Sequence, residues 1–173
     1  VTGCGQGKSG SMHLASPENG LMATSAVVGT TIPVAVGCAF ANVYKGDKKR
    51  VAVFFGDGAL NEGVFWESLN FACLKKLPMI FICEDNGLAI HSPKKDREGY
   101  ENILRIVEKF NCYAFQYDSI DPKEIQGVVK MNISLQDENP QPIFLHFFYY
   151  RYFEHVGVKT DFNFGYRLDE TKL

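Results

Sequence analysis

The stretch Val51–Asn86, VAVFFGDGALNEGVFWESLNFACLKKLPMIFICEDN, decides the fold. It opens on a continuous apolar run, Val51 to Phe55, that stops at Gly56-Asp57-Gly58. A run of that length, rich in Val and Phe and ended by glycine, fits a parallel strand buried on both faces. A second run, Met79 to Cys83, ends in Glu84-Asp85-Asn86-Gly87. Between them apolar residues fall at 65, 66, 69, 72 and 73, and Pro78 marks the return, so Glu62 to Lys76 reads as a crossover helix. The unit is strand, helix, strand, and each strand delivers a polar oxygen donor at its carboxyl end. Open α/β sheets bind their ligands at that end.

Residue type suggests what would bind there. Asp57 offers a carboxylate oxygen, Asn86 an amide oxygen and the bent backbone near Leu88 a carbonyl. Three hard oxygens without sulfur or imidazole suit magnesium, which leaves its other octahedral positions to water and to phosphate oxygens of a ligand. Gly56 and Gly58 allow a turn that other residues resist and leave backbone N–H groups open to a phosphate. The expectation is a magnesium diphosphate site. Taken singly, Gly-Asp-Gly and Asp-Asn-Gly each read better as plain strand-ending turns.

Working outward, the rest of the chain repeats strand and helix. Val1 to Asn19, with four glycines, reads as a long loop. Ser25 to Tyr44 is apolar nearly all round and reads as a helix buried or packed at an interface, with Pro33 in its first turn or at a kink. Lys45 to Arg50, KGDKKR, reads as a solvated turn, and Pro93 to Gly99 as a charged, mobile loop. Ile103, Leu104, Ile106, Val107 and Phe110 predict a helix across Tyr100 to Phe110. Cys112 to Tyr117 and Pro142 to Tyr150 read as strands, with a helix between them that starts at Asp121 as N-cap and Pro122 at its first position. The predicted fold class is α/β, a doubly wound parallel sheet forming one domain over residues 1–173.

Composition sets limits on function. With 173 residues, 46% of them hydrophobic, there is enough apolar content for one core. A net charge of −2 argues against nucleic acid or an anionic membrane as the main partner. The five cysteines, at 4, 38, 73, 83 and 112, form no CxxC pair, which favours reduced thiols in a cytosolic-type compartment. No stretch of eighteen apolar residues occurs.

Twenty-six residues separate Gly58 from Asp85-Asn86, and this spacing of Gly-Asp-Gly from Asp-Asn resembles the thiamine diphosphate signature of transketolases, decarboxylases and 2-oxo-acid dehydrogenases. The local wording is narrower. GKSGSMH at 7–13, FFGDGALNEGVFWESLNFA at 54–72, LPMIFICEDNGLAI at 77–90 and YRYFEH at 150–155 resemble the alpha subunit of the decarboxylating component of pyruvate- or acetoin-type dehydrogenase complexes.

That resemblance implies a thiamine diphosphate-binding fold and two cofactors, thiamine diphosphate and Mg2+. By position, Asp57, Asn86 and the Leu88 carbonyl would hold the metal, and the turn of Gly56, Asp57, Gly58 and Ala59 would face the diphosphate. Ala26 and Val28 would present backbone groups to the aminopyrimidine, Ile90 would prop the cofactor in its bent shape, and His155 would sit over the diphosphate as a catalytic residue. Departures from the usual family wording include Ala26 for Gly, Glu62 for Gln, Leu88 for Tyr, Phe153 for the first His of a pair, and the absence of the serine that some relatives phosphorylate.

The resemblance also implies partners: a beta subunit in a two-alpha, two-beta heterotetramer, a lipoyl-bearing acyltransferase and a small 2-oxo acid. The beta subunit would contribute the glutamate that activates the aminopyrimidine. The chain would then be part of a longer alpha subunit, bacterial and cytoplasmic, or from a mitochondrial or plastid matrix. Two other readings are another thiamine enzyme of the transketolase superfamily and a non-catalytic binding module.

Overall fold

The two apolar runs of the central stretch pair side by side as parallel strands. The computed structural model describes Gly3 and residues 5–167. After the N-terminal loop come α1 (Thr31–Lys45), β1 (Val51–Gly56), α2 (Gly63–Leu74), β2 (Met79–Asp85), a small hairpin of β3 (Leu88–Ala89) and β4 (Ser92–Pro93), α3 (Ile103–Val107), β5 (Tyr113–Tyr117), α4 (Pro122–Glu138) and β6 (Ile143–Phe148). The main sheet runs β1-β2-β6-β5 with every pairing parallel. A doubly wound α/β arrangement results. One face of the sheet packs on α1, α2 and α3, and the other on α4.

Register positions the site. Val51 lies opposite Met79 and Gly56 opposite Glu84, so the two strands end level and their next residues, Asp57 and Asp85, emerge together. On the other side, Asp85 pairs with Phe148 at the end of β6.

The core under this edge is aromatic. The Phe65 ring, fully buried on α2, lies 5.6 Å from Phe55, 4.9 Å from Trp66, 6.2 Å from Phe81 and 6.0 Å from Phe144 in mostly tilted or edge-on geometry. These arrangements suit the ring quadrupoles and lock α2 onto three strands at once. Behind the opposite face, Ile80, Ile82, Ile143 and Leu145 pack on Val129 and Ile133 of α4. Helix ends follow local chemistry: the Asp121 carboxylate accepts from Lys123 N at 2.7 Å, with Pro122 at the first turn, and Asn102 accepts from Leu104 N at 2.9 Å.

The structure corrects several sequence expectations. β1 is not buried on both faces. Val53 and Phe55 are buried, but Ala52 and Phe54 face away from α1 and α2, and Phe54 is 60% exposed because α4 lies over β2, β5 and β6 rather than over β1. The first long helix begins at Thr31, since Ser25 to Thr30 forms a loop that turns through Gly29 at φ +77°. Pro33 sits in its first turn, while Val34, Phe40, Val43 and Tyr44 are exposed. The helix expected over Tyr100 to Phe110 is only Ile103–Val107, because Asn102 caps it late. Arg50 is not purely solvated: its Nε donates to Gln136 Oε1 on α4 at 2.9 Å and its guanidinium pairs with Asp137. The Cys4 position lies outside the described residues, and Cys38, Cys73, Cys83 and Cys112 are unbridged. Among the described residues no helix is long and apolar enough to cross a membrane.

The Phe65 cluster gives a direct stability test. Phe65→Ala should cost about 3–5 kcal/mol in a denaturant titration, as large-to-small core changes do. Leu74→Ala, on the same helix but 70% exposed, should stay within about 0.5 kcal/mol of the parent.

Candidate functional site

Two carboxylates end up side by side at the level ends of β1 and β2. Asp57 and Asp85 are each 1% exposed. Burying like charges is unfavourable unless cations and hydrogen bonds compensate, and the following loop supplies both. Arg97 pairs with Asp57 through its guanidinium, and another of its nitrogens donates to Asn61 Oδ1 at 2.7 Å. Lys94 pairs with Asp85. Asp85 also meets His146 Nε2 on β6 at 2.6 Å and accepts from Gly87 N at 2.8 Å.

The two carboxylates respond differently. Burial, and then the neighbouring charge of Asp85, push the Asp57 carboxyl above its ordinary range, and Arg97 only partly offsets them. For Asp85 burial acts in the same direction but is outweighed by hydrogen bonds from His146, Lys94 and Gly87, which hold it below its ordinary range. Asp85 is therefore the anchored structural anion, and Asp57 is the group still short of positive charge.

Asn86 follows Asp85 in an Asx turn. Its Oδ1 accepts from Leu88 N at 3.0 Å, and its Nδ2 donates to Tyr149 Oη at 2.7 Å. Tyr149 N in turn donates to the Asp85 carbonyl at 2.9 Å, so the ends of β2 and β6 are tied. The turn after β1 packs tightly on this loop. A Cβ built at Gly58 would stand 2.9 Å from Ala89 Cβ, which only glycine avoids. Asp57, Gly58 and Ala59 thus lie in a single 3-10 turn, Asp57–Asn61, against the loop that carries Asn86, Leu88 and Ile90.

The donor set suits a hard divalent cation. It comprises a buried carboxylate short of positive charge, an amide oxygen with a second lone pair to spare, and the backbone carbonyl of Leu88 in the adjoining loop. Among the described residues no group of three or more His, Cys, Asp or Glu side chains gathers for a metal.

The other sequence candidates fall around this edge. Ala26 and Val28 are exposed in the loop before α1, and the turn at Gly29 backs onto the start of α2, where an added Cβ would meet Val64 Cγ1 at 3.1 Å. Gly56 closes β1 opposite Glu84. Ile90 is 51% exposed and has φ +58°. For a β-branched residue this conformation costs about 1–3 kcal/mol. His155 is exposed on the loop after β6, and that loop meets Ile90 and His91 through Arg151 and Tyr166.

Sequence reasoning missed Lys94, Arg97 and His146. The stretch 93–99 reads as a mobile charged loop, but Lys94 and Arg97 turn inward because two buried carboxylates need them: the Arg97 side chain is only 12% exposed. The available signal was the lysine and arginine spaced after an Asp-Asn turn. Asp161 was missed as well. Burial resists its ionisation, but Arg167 and Arg151 outweigh that and hold its carboxyl below the ordinary range.

A parallel sheet with two tied strand ends, each carrying an oxygen donor beside a glycine turn, defines an α/β domain with a candidate ligand site at the carboxyl edge of its sheet. In fold it is similar to a solved enzyme from Mycobacterium smegmatis described as thiamin diphosphate-dependent, with a TM-score of 0.59 and 22% identity over 76% of this chain and 24% of that one. The chain belongs to the Dehydrogenase E1 component family, whose model matches residues 1–172. It is 34% identical to the pyruvate dehydrogenase E1 component subunit alpha of Rickettsia bellii, across 90% of this chain and 48% of the relative. It is 33% identical to the same subunit of Zymomonas mobilis, across 90% and 44%. The chain spans about half the length of the curated relatives it matches.

Asp161 gives a pH test. Because folding lowers its pKa, its contribution is fully present above the unfolded carboxylate value of about 4 and is lost as pH falls through the folded value. Asp161→Asn should therefore be less stable than the parent at neutral pH. Thermal unfolding across pH 2–7 should show the gap closing on the acid side.

Proposed function

We propose that this chain supplies the magnesium- and diphosphate-binding side of a thiamine diphosphate-dependent 2-oxo-acid dehydrogenase, acting as an alpha subunit with a separate beta subunit. One observation carries this reading most directly. The Gly-Asp-Gly and Asp-Asn turns, far apart in sequence, end adjacent parallel strands at the same level and pack against each other through Gly58 and Ala89.

In this reading Asp57, Asn86 and the Leu88 carbonyl hold Mg2+. The turn from Gly56 to Ala59 turns backbone N–H groups to the diphosphate. Ala26 and Val28 would border the aminopyrimidine, Ile90 would support the cofactor, and His155 would face it from the loop after β6. Bound thiamine diphosphate supplies a carbon nucleophile and an electron sink for decarboxylation of a 2-oxo acid. What the chain itself contributes is orientation and charge compensation. Asp85, held ionised by Lys94 and His146, keeps the Asn86 turn in place, and Arg97 offsets the charge of Asp57.

The relatives are named as pyruvate dehydrogenase subunits, which makes pyruvate the first substrate to test. A beta subunit in a two-alpha, two-beta assembly and a lipoyl-bearing acyl acceptor complete the reading.

Calorimetric titration of the protein with thiamine diphosphate should show binding that requires Mg2+. Asp57→Asn and Asn86→Ala should each weaken it by tenfold or more, about 1.4 kcal/mol per decade. Binding that is indifferent to Mg2+, or unaffected by both substitutions, would sink the assignment.

A further inference from the structure

Among the described residues three non-glycine positions have positive φ, at Gln6, Lys76 and Ile90, and Ile90 is the β-branched one. Left-handed backbone at such a residue persists only when its surroundings over-determine it. The Ile90 carbonyl accepts from Arg151 Nη1 at 2.9 Å. Arg151 follows β6 and lies in a different loop, sixty-one residues away in sequence.

Arg151 is itself clamped. Its Nη2 donates to Asp161 Oδ2 at 3.2 Å and to Tyr166 Oη at 2.9 Å, and its side chain is 10% exposed. Asp161 is held from the other side by Arg167, whose Nε lies at 2.7 Å, and Arg167 also donates to the Arg151 carbonyl. A second contact joins the same two loops next to the first: the His91 and Tyr166 rings lie 4.6 Å apart. A planar guanidinium can serve a carbonyl with one nitrogen while another meets a carboxylate and a phenol, a division that a single ammonium cannot reproduce.

We infer that Arg151 is a positioning residue: anchored by Asp161, it holds Ile90 in its left-handed backbone, so the loop after β6 sets the shape of the loop after β2. Its effect on cofactor binding rests on the proposed function, in which Ile90 supports the cofactor. Its effect on the loop does not.

Hydrogen exchange read by mass spectrometry on the full-length protein tests the loop directly. In Arg151→Met, peptides covering residues 86–93 should exchange at least tenfold faster, with peptides from α2 unchanged. Arg151→Lys, which keeps the charge without the fork, should fall between Arg151→Met and the parent. Ile90→Gly removes the steric cost of the left-handed backbone, and in that background Arg151→Met should change exchange less than threefold. With Mg2+ present, thiamine diphosphate should bind Arg151→Met at least tenfold more weakly than the parent. Unchanged exchange at 86–93, equal acceleration throughout the chain, or a full additive effect in the Ile90→Gly background would each overturn the inference. A parent that binds no cofactor would overturn the proposed function but leave the exchange result standing.

Discussion

Two carboxylates forced together at the level ends of neighbouring parallel strands are the constraint on which the rest of this edge depends. Parallel pairing with Gly56 opposite Glu84 leaves Asp57 and Asp85 no choice but to emerge side by side, out of water. The protein resolves the conflict unequally. Asp85 receives a histidine, a lysine and a backbone N–H and becomes a fixed anion, whereas Asp57 receives one guanidinium and remains the more strained of the two. That asymmetry separates an anion that shapes the Asn86 turn from one with capacity for a further cation.

The loops answer the same constraint. The segment after β4 folds back so that Lys94 and Arg97 reach the carboxylates. The segment after β6 is organised by Asp161, a third buried carboxylate, shared between Arg151 and Arg167. Both loops therefore take their shape from buried acids satisfied by arginine. Arginine suits the task because its fork serves several acceptors at once and stays charged.

Much of this was legible in the residues. The apolar runs ending in Gly-Asp-Gly and Asp-Asn-Gly, the helical spacing between them and the Asp121-Pro122 start of α4 read directly as parallel strands and helices, because apolar patterning and helix capping are local. The outer face of β1 was not legible. Val51 to Phe55 is apolar throughout, and a period of two cannot reveal that α4 would lie over β2, β5 and β6 and leave Phe54 uncovered. The inward turn of 93–99 was also hidden, since a lysine or arginine reads as solvated until a buried partner is known.

Residue order alone determined the fold class, the strand-end placement of Asp57 and Asn86, and the glycine at 58. Each of these follows from short-range sterics and from apolar periodicity. Only tertiary structure decided which cation meets which carboxylate, that His146 joins Asp85, and that Arg151 reaches the Ile90 carbonyl. Those contacts join residues far apart in the chain, and burial and distance between such residues exist only once the sheet has formed.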